Sequence, residues 1–406
     1  MQATQIHTLL QGLAASARHM LHQEIMPFWT GSMVDPLRGG FHGRMDSDGQ
    51  IDLQAPRSAV LCTRILWTAS AVWLAAPRAA YRDMARRALH YLEAHFRDPL
   101  HGGIYWQVDA QGRAQADRKQ IYAQAFAIYA LAAHYQAFGE PQVLEWAVGL
   151  FDDIERHSYD RQHNGYHEAF ARDWGPLADL RLSDKDANEA RTMNTHLHVL
   201  EAYTQLYRVW PDAWLADRLR NLLHIFLDRI LAPGGDHLDL FFGEDWSRRS
   251  DTVSFGHDIE ASWLLTAAAS VLGDAALAAR VPGVALQLVD ATLARGFDSD
   301  GALFNELHGG RLDDDKHWWP QAEAIIGLLD AYAHRPDPVY LQRAGGLMQV
   351  IQTRFVDRAT GEWYFRLDRS GQPYRQEDLA GPWKGPYHNG RACLEIDRRC
   401  YRLLAG

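Results

Sequence analysis

The chain has 406 residues, of which 47% are hydrophobic, a formal net charge of −10 and three cysteines. The deficit of positive charge excludes the concentrated basic face that nucleic-acid binding requires. Three cysteines, Cys62, Cys393 and Cys400, are an odd number in so long a chain and exclude a disulfide framework. The amphipathic N-terminal stretch (Ile6, Leu9, Leu10, Leu13) lacks a basic segment leading into an apolar core, so no secretory signal is expected and the cytoplasm is the default location.

In chain order, apolar residues recur at i, i+3 and i+4 over twelve segments. This periodicity predicts helices over 5–27, 57–75, 78–97, 120–138, 140–157, 188–208, 211–231, 257–272, 275–296, 318–334, 336–355 and 388–403. Between helix pairs fall short aromatic-rich segments: GGFHGRMDSDG (39–49), GGIYWQVDAQG (102–112), GYHEAF (165–170), HLDLFF (237–242), ALFNEL (302–307) and GEWYFRLDRSG (361–371). Each reads as a small strand or hairpin with turn residues at its tip. No Ser/Gly-rich or Pro-rich linker interrupts the series, so one catalytic domain over 1–406 is expected.

The paired helices differ in character. Segments 59–76, 121–133, 259–268 and 322–329 are apolar nearly all round, whereas 81–96 and 216–230 carry charged outer faces. A helix apolar on every side has to be surrounded by others. The pattern therefore predicts an all-α (α/α)6 barrel, six inner helices ringed by six outer ones, with the short β-hairpins on one face. Segment 59–76 could mimic a membrane span, but it contains Thr63, Arg64, Thr68 and Ser70 and no second segment of its kind is evident, so a helix buried within the protein, with no membrane partner, is expected.

Polar residues interrupt this apolar interior near the starts of the inner helices: Arg64 on the second helix, Tyr122 on the fourth, Asn194 and His198 on the sixth, His257 and Glu260 on the eighth, Trp318, Trp319 and Glu323 on the tenth, and Trp383 and His388 ahead of the twelfth. Asn194 with His198, His257 with Glu260 and Trp319 with Glu323 each share one helical face, while His196 should face elsewhere. Each has a bland explanation when taken alone. A histidine can be a hydrogen-bonded core residue, Arg64 and Glu260 a buried ion pair, and the tryptophans simple filling. Convergence of polar groups from all six repeats at one depth favours a site instead. Histidine, with an unperturbed pKa of about 6.5, suits proton transfer at neutral pH. The same histidines could hold zinc, but no HExxH or CxxC pattern occurs and Arg64 would repel a cation; no nucleotide-binding motif occurs either, so neither metal nor cofactor is expected.

The runs KQIYAQAFAIYAL (119–131), MNTHLH (193–198), SFGHDIEASW (254–263), WWPQAE (318–323) and GPWKGPYHNGR (381–391) resemble cellobiose 2-epimerases of the N-acylglucosamine 2-epimerase superfamily, and the likeness extends from Pro27 to the C-terminus. The resemblance implies an (α/α)6 barrel. It implies an isomerase that, without a cofactor, epimerises C2 of the reducing-end glucose of β-1,4-linked disaccharides such as cellobiose and lactose, as a monomer or homodimer. His257 and His388 then correspond to the acid/base pair and His198 to a histidine assisting ring opening. Arg64, Tyr122, Asn194, Glu260, Glu323 and Trp383 correspond to binding residues, and Trp319 joins them on the face of Glu323. Mannose 2-epimerases and D-mannose isomerases share the barrel and the histidines. No aromatic stacker for a second sugar is identifiable within 303–315.

The residues themselves suit this chemistry. A sugar C2–H is acidic only when the ring is open and C1 is a carbonyl, so protons must first move at O1 and O5; His198 or His388 can do this. Deprotonation then places negative charge on O1 and O2 of an enediolate, which Arg64, Tyr122 and Asn194 can stabilise as fixed donors. Inversion needs a base on one face and an acid on the other, roles for His257 and His388. Glu260, one turn from His257, can hold its tautomer, and Trp383 can pack on an apolar sugar face. A glycoside hydrolase using Glu260 and Glu323, or a carbohydrate-binding protein without catalysis, are the readings from other classes.

Overall fold

The computed structural model describes residues 1–405. Helix α1 (Ala3–His19) runs on through a π-helical turn (Met20–Ile25) into Met26–Thr30. It is followed by α2 (Ala59–Ala75), α3 (Ala79–His95), α4 (Ile121–Phe138), α5 (Pro141–His157), α6 (Met193–Val209), α7 (Ala213–Ile225), α8 (Phe255–Leu272), α9 (Ala275–Arg295), α10 (Trp318–His334), α11 (Pro338–Val350) and α12 (Tyr387–Ala405). Helices α7 and α11 also end in π-helical turns, Phe226–Ile230 and Ile351–Phe355.

The even-numbered helices close a ring. α2 packs on α4, α4 on α6, α6 on α8, α8 on α10, α10 on α12, and α12 back on α2. Around it, α1 lies on α12, α3 on α2, α5 on α4, α7 against α6 and α8, α9 on α8 and α11 on α10. This is the expected (α/α)6 barrel, and the reason lies in the side chains. Helix α4 buries every residue from Ile121 to His134, whereas α3 buries only the stripe of Tyr81, Met84, Ala85, Ala88, Leu89, Tyr91 and Leu92 and turns Arg82, Asp83 and Arg86 outward. Ser58 and Thr192 cap α2 and α6 by accepting from Leu61 N and Thr195 N, and left-handed Gly139 and Gly273 terminate α4 and α8.

One sequence expectation is corrected. A second long apolar segment does exist: α9 is long and apolar enough to cross a membrane, and it packs the stripe of Leu277, Val281, Ala285, Leu288 and Val289 onto the barrel. The aromatic segments do pair locally, Phe41 with Val34, Ile104 with Arg97, Gly165–Tyr166 with Tyr159–Asp160, Leu238 with Leu231, Leu303 with Phe297 and Trp363 with Val356, and longer-range pairings are added to these. Arg57–Ser58 pairs with Gln107–Val108, Lys119–Gln120 with Ala169–Phe170, Arg191–Thr192 with Phe241–Phe242, Val253–Ser254 with Glu306 and Leu307, Lys316–His317 with Arg366–Leu367, and Met45 with Ala380. Each strand leading into an inner helix thus bonds to the chain returning from the following outer helix. Two further hairpins form, Gln107–Val108 with Ala114–Ala116 and Glu306–His308 with Arg311–Asp313. The six-fold pairing gathers the start of every inner helix on one face.

Candidate functional site

On that face a cavity of about 450 Å³ opens between the starts of the inner helices. Arg64, Tyr122, Asn194, His198, His257, Glu260, Trp318, Trp319, Trp383 and His388 all line it, so of the expected residues only Glu323 is missing from its wall.

The three histidines share one arrangement. Nδ1 of His257 lies 2.8 Å from Ser254 Oγ, Nδ1 of His198 lies 2.9 Å from Glu201 Oε2, and Nδ1 of His388 lies 2.7 Å from Glu323 Oε1. In each ring Nδ1 is anchored, and Nε2 has no protein partner among the described residues. The His257 and His388 rings both flank Trp319, with centroids 4.7 and 5.5 Å from it. His196 does face elsewhere, with Nδ1 2.7 Å from Thr192 O and Nε2 accepting from Tyr166 N at 3.0 Å.

Arg64 is fixed from three sides. It donates to Trp383 O at 2.8 Å and Tyr122 Oη at 2.9 Å, and its guanidinium lies 4.6 and 4.9 Å from the Phe126 and Tyr387 rings. Burial pushes the Tyr122 phenol up to about 12, which keeps it a hydrogen-bond donor at neutral pH. The Asn194 side-chain oxygen is buried beside the cavity without a partner.

Beneath the cavity lies a charge cluster absent from the sequence reading. Arg391 donates to Glu260 at 2.5 Å, to Glu323 at 2.6 Å and to Glu201, while Tyr387 Oη lies 2.6 Å from Glu201. Arg391 and its three carboxylates are all buried. One expectation falls here: Ser254 rather than Glu260 holds His257, while Glu260 pairs with Arg391. The Glu323 oxygens are taken by His388, Arg391 and Trp263 Nε1, so it supports the cavity from behind. Glu201 follows His198, and Arg391 follows His388, at i+3. The spacing rule that singled out Glu260 points to both once the partner ring is known.

One guanidinium against three buried carboxylates leaves excess negative charge, and the cluster relieves it by retaining protons. Burial, then the charge of Glu323, pushes Glu260 up to about 7, and burial raises Glu323 as well. Glu201 resists the same burial because Arg391 and His198 hold it down at about 2. Burial lowers His257 to about 3, and burial together with Arg64 and Arg391 holds His388 well below the usual imidazole range. Both rings are neutral at neutral pH and present a free nitrogen. Glu260, Glu323 and His388 offer ligand atoms within 4.8 Å of one another, but the Arg391 guanidinium bridges the two carboxylates where a cation would sit.

The Glu260 carboxyl has a stability consequence. It binds its proton more tightly in the folded state (about 7) than in the unfolded chain (about 4.5), so its contribution is complete below pH 4.5 and lost as pH rises through 7. Urea unfolding across that range should show Glu260→Gln gaining stability relative to the unsubstituted protein as pH rises. A difference independent of pH contradicts the assignment.

The loop 182–186 forms the outer wall of the cavity, held by Ser183, whose N and Oγ both lie 2.8 Å from Asp186 Oδ2. Within 303–315 Leu303 is core and 306–308 and 311–313 are paired strands. Past Trp383 a groove of about 330 Å³ continues over Trp106, Arg118, Asp179 and Arg181, with the Trp106 and Trp383 rings 5.9 Å apart.

Comparison with known proteins places these features in context. The family described as N-acylglucosamine 2-epimerase (GlcNAc 2-epimerase) matches residues 39–392. A cellobiose 2-epimerase of Bacteroides fragilis is 46% identical over 93% of this chain and 96% of its own. One of Ruminococcus albus is 35% identical over 95% and 99%. The structure of a cellobiose 2-epimerase from Bacillus thermoamylovorans B4167 superposes with a TM-score of 0.92 at 35% identity, covering 96% of this chain and all of that one.

Proposed function

The chain belongs to the N-acylglucosamine 2-epimerase family, and from that premise we propose that it is an isomerase acting as a cellobiose-type 2-epimerase: it interconverts glucose and mannose at the reducing end of β-1,4-linked disaccharides, without metal or nucleotide. The observation that carries this reading is the set of three histidines with Nδ1 anchored and Nε2 free toward one cavity, beside the Arg64 and Tyr122 donors. Room beyond Trp383 over the Trp106 ring supports a second sugar ring and favours a disaccharide over a monosaccharide. The hydrolase reading loses its second carboxylate, because Glu323 stands behind His388.

His198 Nε2 takes the O1 proton and returns it to O5, and the ring opens to the aldehyde. His257 Nε2 then removes the C2 proton on one face. The electron pair moves onto the carbonyl, and Arg64 and Tyr122 hold the resulting enediolate oxygens. On the other face His388 delivers a proton from Nε2 while the Glu323 carboxyl proton passes across the 2.7 Å contact to Nδ1, so the ring stays neutral throughout. Arg391 then holds the Glu323 carboxylate until His257 returns its proton through water. The reverse epimerisation runs the same steps backwards.

Incubation with cellobiose, lactose, mannose and N-acetylglucosamine after exhaustive chelation tests the reading. The expected product is the mannose-ended disaccharide. Released monosaccharides, or activity restored only by a divalent ion, overturn it. Arg64→Lys should slow turnover by about 2.7–4 kcal/mol in the barrier, with unfolding unchanged, because a point charge cannot reproduce the fork that meets two oxygens. Normal turnover in a folded Arg64→Lys protein removes Arg64 from the oxyanion role.

A further inference from the structure

The opposite end of the barrel, where the inner helices finish, holds a recess of about 520 Å³ that the epimerase reading does not use. Arg208 from the last turn of α6 and Arg398, Arg399 and Arg402 from the end of α12 converge on it, with Asp330 of α10 the only carboxylate in its lining. This concentration of positive charge stands out in a chain of net charge −10. Basic residues at helix C-termini offset the carbonyl ends of the helices, and that accounts for part of the set. It does not account for three arginines on one helix end with a fourth beside them.

The available carboxylates are already committed. Asp330 accepts from Thr266 Oγ1 at 2.7 Å and from Arg399 at 3.2 Å, and His334 Nε2 lies 3.7 Å away. Glu395 is shared by Arg398 and Arg399. Among the described residues Arg208 bonds only to the neutral Gln205 side chain, at 3.0 Å, and Arg402 has no carboxylate partner. Arg399 is about nine-tenths buried at the base of the recess, and its Nε is left without any partner. Four guanidiniums therefore face one space with their donors incompletely used. A neutral ligand would leave their mutual repulsion in place, and a carboxylate offers only two oxygens.

We infer that this recess is a second ligand site, separate from the sugar cavity, for a tetrahedral dianion of the phosphoryl class. Arg208 and Arg402 supply the unpaired charges and Arg399 a buried donor, an arrangement that the planar forks of arginine meet well. Orthophosphate and the phosphate group of a small phosphorylated sugar present the same oxygens.

Titration calorimetry of the intact protein with orthophosphate, and separately with glucose 1-phosphate, at constant ionic strength set by sodium chloride, tests this. Saturable binding of either probe is expected, the tighter one identifying the source. In Arg208→Gln/Arg402→Gln, affinity should fall by about tenfold or more for each lost charged hydrogen bond, while cellobiose epimerisation in the absence of the anion stays unchanged. The single variants Arg208→Gln and Arg402→Gln, each weakened in part, serve if the double variant does not fold. Absence of saturable binding by both probes, or unchanged affinity in the folded variants, overturns the assignment.

Discussion

Replacing Arg391 by Met is expected to destabilise the protein by about 3–5 kcal/mol at pH 7 and to eliminate turnover, the largest stability effect available from a single substitution at this site. The substitution removes no contact with substrate. It strands Glu201, Glu260 and Glu323 together in a buried space, and two of these carboxylates anchor His198 and His388. Without the guanidinium the carboxylates bind protons more tightly when folded than when unfolded, so the deficit should shrink as pH falls towards and below their unfolded values. Urea unfolding at pH 7 and at pH 4, alongside activity, checks both parts. Native-like stability of Arg391→Met at pH 7 would show that the cluster carries less charge than its geometry implies. Arg391→Lys keeps a charge but reaches fewer oxygens, and should retain most of the fold while losing most of the activity.

Why this arginine escaped the sequence reading is instructive. The barrel was legible because inner and outer helices differ in kind: α4 is apolar all round and α3 only on a stripe, a contrast visible in composition alone. The residues lining the cavity were legible because a histidine or asparagine at the start of an apolar helix is conspicuous. Glu201 and Arg391 stand one turn further in, and their meaning comes from α6 and α12 meeting across the barrel axis, a distance of 190 positions in sequence. Glu260 is conspicuous in sequence but is matched there to His257 for the same reason, since helical spacing orders residues on one helix and not between helices. The local hairpins are legible from their turn residues, but the pairings between repeats are not, because two-residue strands carry too little pattern to reveal a partner some fifty residues away.

His257→Asn and His388→Asn are each expected to lower net epimerisation by about 10²–10⁴-fold while leaving the fold intact, because each removes one proton carrier and neither bears charge in the resting protein. The two losses should differ in kind. His388→Asn leaves Glu323 and Arg391 paired without a route to the cavity, whereas His257→Asn leaves the Glu323–His388 pair complete and able to remove and return a proton on its own face.

That difference defines the decisive measurement, proton NMR of cellobiose and of its mannose-ended epimer incubated in deuterium oxide with each variant. Two bases on opposite faces predict that each variant, while failing to invert C2, exchanges the C2 proton of one epimer only, and that the two variants exchange opposite epimers. Inversion at the unsubstituted rate in either variant, or exchange of both epimers by a protein retaining one of the two histidines, would contradict the two-face account.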